Sequence, residues 1–242
     1  MPQSAELFAP GVATCFLVFV TAYLIGSIPS AYAITRAFRG LDITIEGSGN
    51  AGALNVGRVT GSRGAFALTV LADVLKGLLP TLAALYVGSA WIAQPLAVLW
   101  GSAESSGAAA LAPEVAYAQC AFAGAVLGHI YSIWMALIKH RFSRTGQGLA
   151  TGAGALLAYD WRYLAAVLTV AVVAGVLGRR TRVGQVAAAV TLPVAAIAFH
   201  SADWPFALLM GAIAYLAAHR QFVALLRGMR PRCGSHAAPP AE

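Results

Sequence analysis

Long apolar runs, broken by two short glycine-rich polar stretches, organise this chain. Residues 12–35 are apolar and long enough to cross the ~30 Å hydrocarbon core of a bilayer. Pro29, inside Gly26-Ser27-Ile28-Pro29-Ser30, predicts a kink or break in that helix, with two serines at hand for the freed backbone. Further spans are predicted over residues 65–87 and 114–138. A short helix follows over 149–159, then runs over 163–177, 183–199 and 205–226. The pattern therefore predicts an all-α membrane bundle of about seven transmembrane helices. Residues 88–113 hold no Lys or Arg, and read as an external loop with a short interfacial helix around residues 91–100.

Composition agrees. Of 242 residues, 59% are hydrophobic and 10% charged, against about 25% charged in soluble domains. Mean hydropathy is +0.73. The net charge of +7 comes without the aromatic–basic interleaving of nucleic-acid binders, so no nucleic-acid partner is expected. It reads instead as loop asymmetry and contact with anionic lipid or phosphate. Arg36, Arg39, Arg58 and Arg63 fall in one loop, and Lys139, Arg141 and Arg144 in another. Arg179, Arg180 and Arg182 form a third group, and Arg220, Arg227, Arg230 and Arg232 follow the last span. These 14 of 16 basic residues share one side of a seven-crossing chain. The positive-inside rule then puts the N-terminus outside and the C-terminus in the cytoplasm. The N-terminus lacks a basic n-region, so the first run reads as a retained span. Cys15, Cys120 and Cys233 have the spacing of neither a zinc site nor a disulfide framework.

Both glycine-rich stretches fall on the cytoplasmic side. In the first, Gly47, Gly49 and Gly52 can take positive φ and let backbone N–H groups converge on an anion. Ser48, Asn50 and Asn55 add neutral hydrogen-bonding groups, and Arg58 adds a cation that can fork onto phosphate. Gly47 to Gly52 also fits the dinucleotide fingerprint, with Asp73 about 20 residues on. The surrounding strands and helices that fingerprint requires are missing from the pattern. The second stretch, Gly146-Gln147-Gly148 with Thr151, opens an apolar helix whose N-terminus favours anions. Asp73 and Lys76, at i,i+3 inside a span, share a helix face and can neutralise each other. They serve either as a buried pair holding helices or as part of a substrate site. His129, after Gly128, is either a satisfied packing residue or a functional one.

The motifs Leu24-Ile25-Gly26-Ser27-Ile28-Pro29-Ser30, Gly47 to Arg58 and Asp73-Val74-Leu75-Lys76-Gly77 resemble those of the bacterial acyl-phosphate:glycerol-3-phosphate acyltransferases, the PlsY family. Gly128-His129-Ile130, Gly146 to Thr151 and His219-Arg220 to Arg232 continue the likeness in order, from about residue 21 to 232. The resemblance implies a single membrane domain over residues 1–232 with a disordered tail over 233–242, in the bacterial plasma membrane. It implies transfer of a fatty acyl group from acyl phosphate to the 1-hydroxyl of glycerol 3-phosphate, with no cofactor and no metal, in a monomer among membrane lipids. Ser48, Asn50, Arg58 and His129 would then be catalytic. Ser27, Ser30, Gly47, Gly49, Gly52, Asn55, Lys76, Arg144, Gly146, Gln147, Gly148 and Thr151 would bind substrate or phosphate.

The chain departs from the family's usual motifs. Gln147 stands where that family carries a lysine, Leu54 stands for a threonine, and Phe222-Val223 stands for Asn-Ile. Arg230-Pro231-Arg232 replaces Glu-Pro-Lys. Three readings follow: a transferase in which Arg144, Lys139 or Arg141 restores the charge, a paralogue with another acceptor or donor, or a non-catalytic lipid-binding relative. A small transporter or flippase is a fourth, against which stands the absence of an internal repeat.

Overall fold

The computed structural model describes residues 10–88, 113–179, 181–199 and 204–226. The predicted external segment, with its helix around 91–100, and the tail beyond residue 226 lie outside them. Among the described residues the fold is all-helical. Three stretches are long and apolar enough to cross a membrane: Val12–Arg39, Arg63–Tyr86 and Glu114–Lys139. Leu149–Tyr159, Trp161–Leu177, Val183–Phe199 and Phe206–Leu216 are shorter apolar helices.

Pro29 does break the first span. Helix α1 (Pro10–Gly26) ends there and α2 (Ser30–Arg39) starts anew. The stretch predicted as one basic loop over residues 36–64 contains a helix of its own, α3 (Ala53–Thr60), before the long α4 (Arg63–Gly88). The predicted third span is also divided, into α5 (Pro113–Ile130) and α6 (Ile133–Lys139). Ser132 causes that restart: its Oγ accepts from the Met135 N–H at 3.1 Å as an N-cap. Then come α7 (Leu149–Tyr159), α8 (Trp161–Leu177), α9 (Thr181–Phe199) and α10 (Trp204–Leu226). The Asp160 carboxylate accepts from the Arg162 N–H at 2.9 Å and caps α8.

Glycines let two pairs of helices touch backbone to backbone. α1 packs on α5, where a Cβ at Gly124 or Gly128 would collide with the Phe19 or Tyr23 carbonyl. α4 packs on α7, where Gly77 and Gly154 face the backbones of Thr151 and Val74. The main core gathers Phe122, Val126, Ile130, Leu156, Tyr163, Phe206 and Met210, with Phe122 and Phe206 edge to face at 5.7 Å. On α8 the outward Val172, Val176 and Leu177 are 62–79% exposed. Such a continuous apolar surface suits lipid contact and would be an aggregation hazard in water.

Candidate active site

The helix breaks place polar side chains where uninterrupted helices would have shown only hydrocarbon. Asp73, 2% exposed, is the hub. Its Oδ1 accepts from Ser30 Oγ at 2.5 Å and faces Lys76 Nζ at 2.8 Å, so the i,i+3 pair forms as its spacing predicts. Lys76 Nζ also donates to the Ile28 carbonyl at 3.1 Å and to Ser30 Oγ at 3.3 Å. The ammonium thereby satisfies a carbonyl that the Pro29 break removes from the helical ladder. His129 completes the group, with Nδ1 3.1 Å from Thr151 Oγ1 and 3.7 Å from Asp73 Oδ1. Five residues from four helices, α2, α4, α5 and α7, thus share one buried polar cluster.

Ser27 lies beside it. Its carbonyl accepts from Ser132 Oγ at 2.5 Å, while its own Oγ is buried without a hydrogen-bond partner. A buried, unsatisfied hydroxyl costs free energy of about 1–3 kcal/mol and is rare enough to need an explanation.

The first glycine stretch is more closed than its sequence suggests. Gly47 and Gly49 adopt left-handed φ of 57° and 68°, as expected. Gly52 instead has an extended φ of −141° and serves as the N-cap residue of α3. Asn55 is 1% exposed, and its side-chain amide belongs to the loop: Oδ1 accepts from Ser48 N–H at 2.9 Å and Nδ2 donates to the Glu46 carbonyl at 3.0 Å. The Gly49 N–H turns back to the Glu46 carbonyl, and Ala51 N–H leaves the loop altogether. Most of the expected anion-facing N–H groups are therefore engaged within the protein. Ser48, Asn50 and Arg58 remain as side chains open toward a ligand, with Ser48 and Arg58 exposed.

Ala51 N–H donates to the Thr145 carbonyl at 2.9 Å, fastening the first glycine stretch to the second. Thr145 in turn hangs from α5, its N–H on the Ile130 carbonyl at 2.8 Å and its Oγ1 on the His129 carbonyl at 2.9 Å. Gly146 sits directly on the His129 ring, where any Cβ would strike Nε2. Gly148 reaches φ 75° at the start of α7. Arg144 Nε donates to the Gly146 carbonyl at 3.1 Å, so its guanidinium stays beside this loop. Lys139 does not: it pairs with Asp42 and lies 5.3 Å over the Tyr32 ring. Of the three cations considered as substitutes for the charge absent at Gln147, it is the one held elsewhere.

Gln147, Gly148 and Leu149 also line an apolar cavity of about 560 Å³. Its wall on α8 runs from Leu164 to Val176, about 18 Å at 1.5 Å per residue. α9 and α10 close it with Ala188, Leu192, Met210 and Ile213. Sequence reasoning missed this cavity, because the five apolar helices that line it give no sign of where a gap between them lies. It also missed Thr145, whose only signal is its place before Gly146-Gln147-Gly148.

Two fastened glycine-rich loops, a buried ionic cluster and an apolar cavity thus come together in a helical membrane protein. The chain belongs to the glycerol-3-phosphate acyltransferase family, whose pattern it matches over residues 16–228. It is 36% identical over 245 residues to the glycerol-3-phosphate acyltransferase of Bordetella pertussis, covering 97% of this chain and 99% of that one. It is 34% identical over 223 residues to that of Thermosynechococcus vestitus, covering 90% and 95%. In fold it is similar to the crystal structure of PlsY (YgiH), an integral membrane glycerol 3-phosphate acyltransferase, in its glycerol 3-phosphate form. The TM-score there is 0.66 at 23% identity, over 91% of this chain and 96% of that one.

Proposed function

We propose that this chain transfers a fatty acyl group from acyl phosphate to the 1-hydroxyl of glycerol 3-phosphate, yielding lysophosphatidate and phosphate. The observation that carries the reading is the continuity of the fastened glycine loops with the apolar cavity at Gln147 and Gly148. A polar, anion-receptive surface opening onto an 18 Å hydrocarbon slot suits a long acyl chain ending in phosphate. In this reading the chain crosses the bacterial plasma membrane seven times, N-terminus outside, with the site at the cytoplasmic face. The family assignment and the distribution of basic residues support it.

The reaction asks little covalent chemistry of the protein. Acyl phosphate is a mixed anhydride, already activated. The 1-hydroxyl oxygen attacks the acyl carbon, the bond from that carbon to the phosphate oxygen breaks, and the departing phosphate carries the hydroxyl proton. What the protein supplies is alignment and neutralisation of charge. Arg58, Ser48 and Asn50 hold phosphate from the first loop, and Arg144 with the start of α7 does so from the second. Asn55 shapes the loop without touching substrate. His129, Thr151, Lys76 and Ser30 form the floor, and they position the second loop through the contact of His129 with Gly146.

One observation favours a second reading, an acyltransferase with another acceptor: the uncharged Gln147 lines the cavity beside the second glycine loop. Purified protein assayed with radiolabelled glycerol 3-phosphate and palmitoyl phosphate, beside a Gln147→Lys variant, separates the two. Lysophosphatidate from the wild type supports the first reading. Product from the variant alone supports the second, and silence from both removes glycerol 3-phosphate as the acceptor.

A further inference from the structure

Cys15 and Cys120 lie far apart in sequence and belong to no framework of spacings, yet the packing of α1 on α5 brings them together. The two helices run parallel. The Phe19 carbonyl meets Gly124, and one turn further on the Tyr23 carbonyl meets Gly128. Both contacts join residue i of α1 to residue i+105 of α5. Stepping one turn the other way along the same seam gives Cys15 opposite Cys120. The side chains agree with the register: Cys15 is the group whose side chain interacts with the Cys120 thiol. Both cysteines are free thiols and only half-buried. A disulfide needs Cα atoms about 4.4–6.8 Å apart, which helices in backbone contact one turn away can supply.

We propose that Cys15 and Cys120 form an oxidisable pair that staples α1 to α5 at the end of the bundle opposite the glycine loops. The step is thiol–disulfide exchange with an organic disulfide as oxidant. One cysteine thiolate attacks a sulfur of the oxidant, whose other half leaves as a thiolate. The second cysteine then attacks the mixed disulfide and expels the remaining half. The protein loses two hydrogens and two electrons, and the oxidant is reduced to two thiols. Under the orientation proposed above, this end faces the outside, where disulfides persist. The exchange itself does not depend on that orientation, so it stands or falls apart from the proposed catalytic function.

The test uses the full chain, purified in detergent, with Cys233→Ser removing the third cysteine. After treatment with oxidised glutathione, the protein is denatured, labelled with a maleimide polymer and weighed intact. The pair predicts two labels on the reduced protein and none on the oxidised one, with a mass lower by two hydrogens. The stapled form should also melt about 5–10 °C higher. Cys15→Ser and Cys120→Ser should each show no loss of two hydrogens after oxidation, the remaining cysteine staying free or carrying one unresolved glutathione, and should retain turnover within about twofold. As a register control, Cys15→Ser combined with Phe16→Cys puts the thiol on a face 65% exposed and away from α5, and should form no bond. Two labels persisting after oxidation, glutathione added to each cysteine singly, or an equal bond in the register control would overturn the pairing. A bond formed without a rise in melting would overturn the staple.

Discussion

Replacing Asp73 by Asn tests whether the buried cluster holds the broken first helix in place. The substitution keeps the shape of the side chain and removes its charge. Opposite unit charges 2.8 Å apart attract by about 6 kcal/mol at an effective dielectric near 20. Desolvation of both groups offsets part of this, and loss of one partner of such a pair costs about 3–5 kcal/mol. Lys76 retains two acceptors in the variant, the Ile28 carbonyl and Ser30 Oγ, which favours the lower half of that range. At about 2–4 °C per kcal/mol for a chain of this size, the apparent melting midpoint should fall by about 6–16 °C. The double variant Asp73→Leu with Lys76→Met removes both charges and should regain more than half of that loss. Midpoints measured by thermal unfolding of wild type, Asp73→Leu, Lys76→Met and the double variant close a double-mutant cycle, with Asp73→Asn melted beside them. A single variant melting within 2 °C of wild type, or a double variant no better than the single, would refute the assignment of Asp73 as the charge partner on which Lys76 depends.

Three further substitutions address the site. Arg58→Ala should lower kcat/KM about 100-fold with an unchanged melting midpoint, since Arg58 is exposed and supports no internal contact; near-normal rates in steady-state assays would remove it from the site. Gly146→Ala should push the His129 ring out of position and cut kcat at least tenfold, with Gly146→Ser no better; retained turnover would show that the contact is idle. Ala188→Phe, on a cavity wall, should shift preference from palmitoyl phosphate toward shorter acyl phosphates in competition assays. An unchanged preference would place the acyl chain elsewhere.

Much of this arrangement is legible in the sequence where physical constraints are local. Pro29 announces the helix break because proline removes a backbone donor, and the spacing of Asp73 and Lys76 announces their pairing because helical geometry leaves them little choice. Local reasoning failed where polar groups had more than one partner within reach. Asn55 read as a ligand group, since an amide in a glycine loop can face outward as easily as inward; burial turned it inward. Ser132 passed as an ordinary residue in an apolar run, although its hydroxyl starts a new helix. Lys139 read as spare charge, because Asp42 lies 97 residues away in sequence. The apolar cavity depends on five helices at once, and no single stretch encodes it.

The Ala51–Thr145 hydrogen bond has a temporal side. Its donor and acceptor are separated by 94 positions, with two long apolar helices between the first loop and the second. At synthesis rates of about 5–20 residues per second, the first loop waits about 5–19 s for its partner to be made. During that interval the nascent chain carries Arg58 and the left-handed glycines but lacks the neighbour that fastens them. Assembly of the site is thus tied to the arrival of α5 and the start of α7 in the bilayer. Under the proposed function, a half-made chain would lack the assembled site and be inactive.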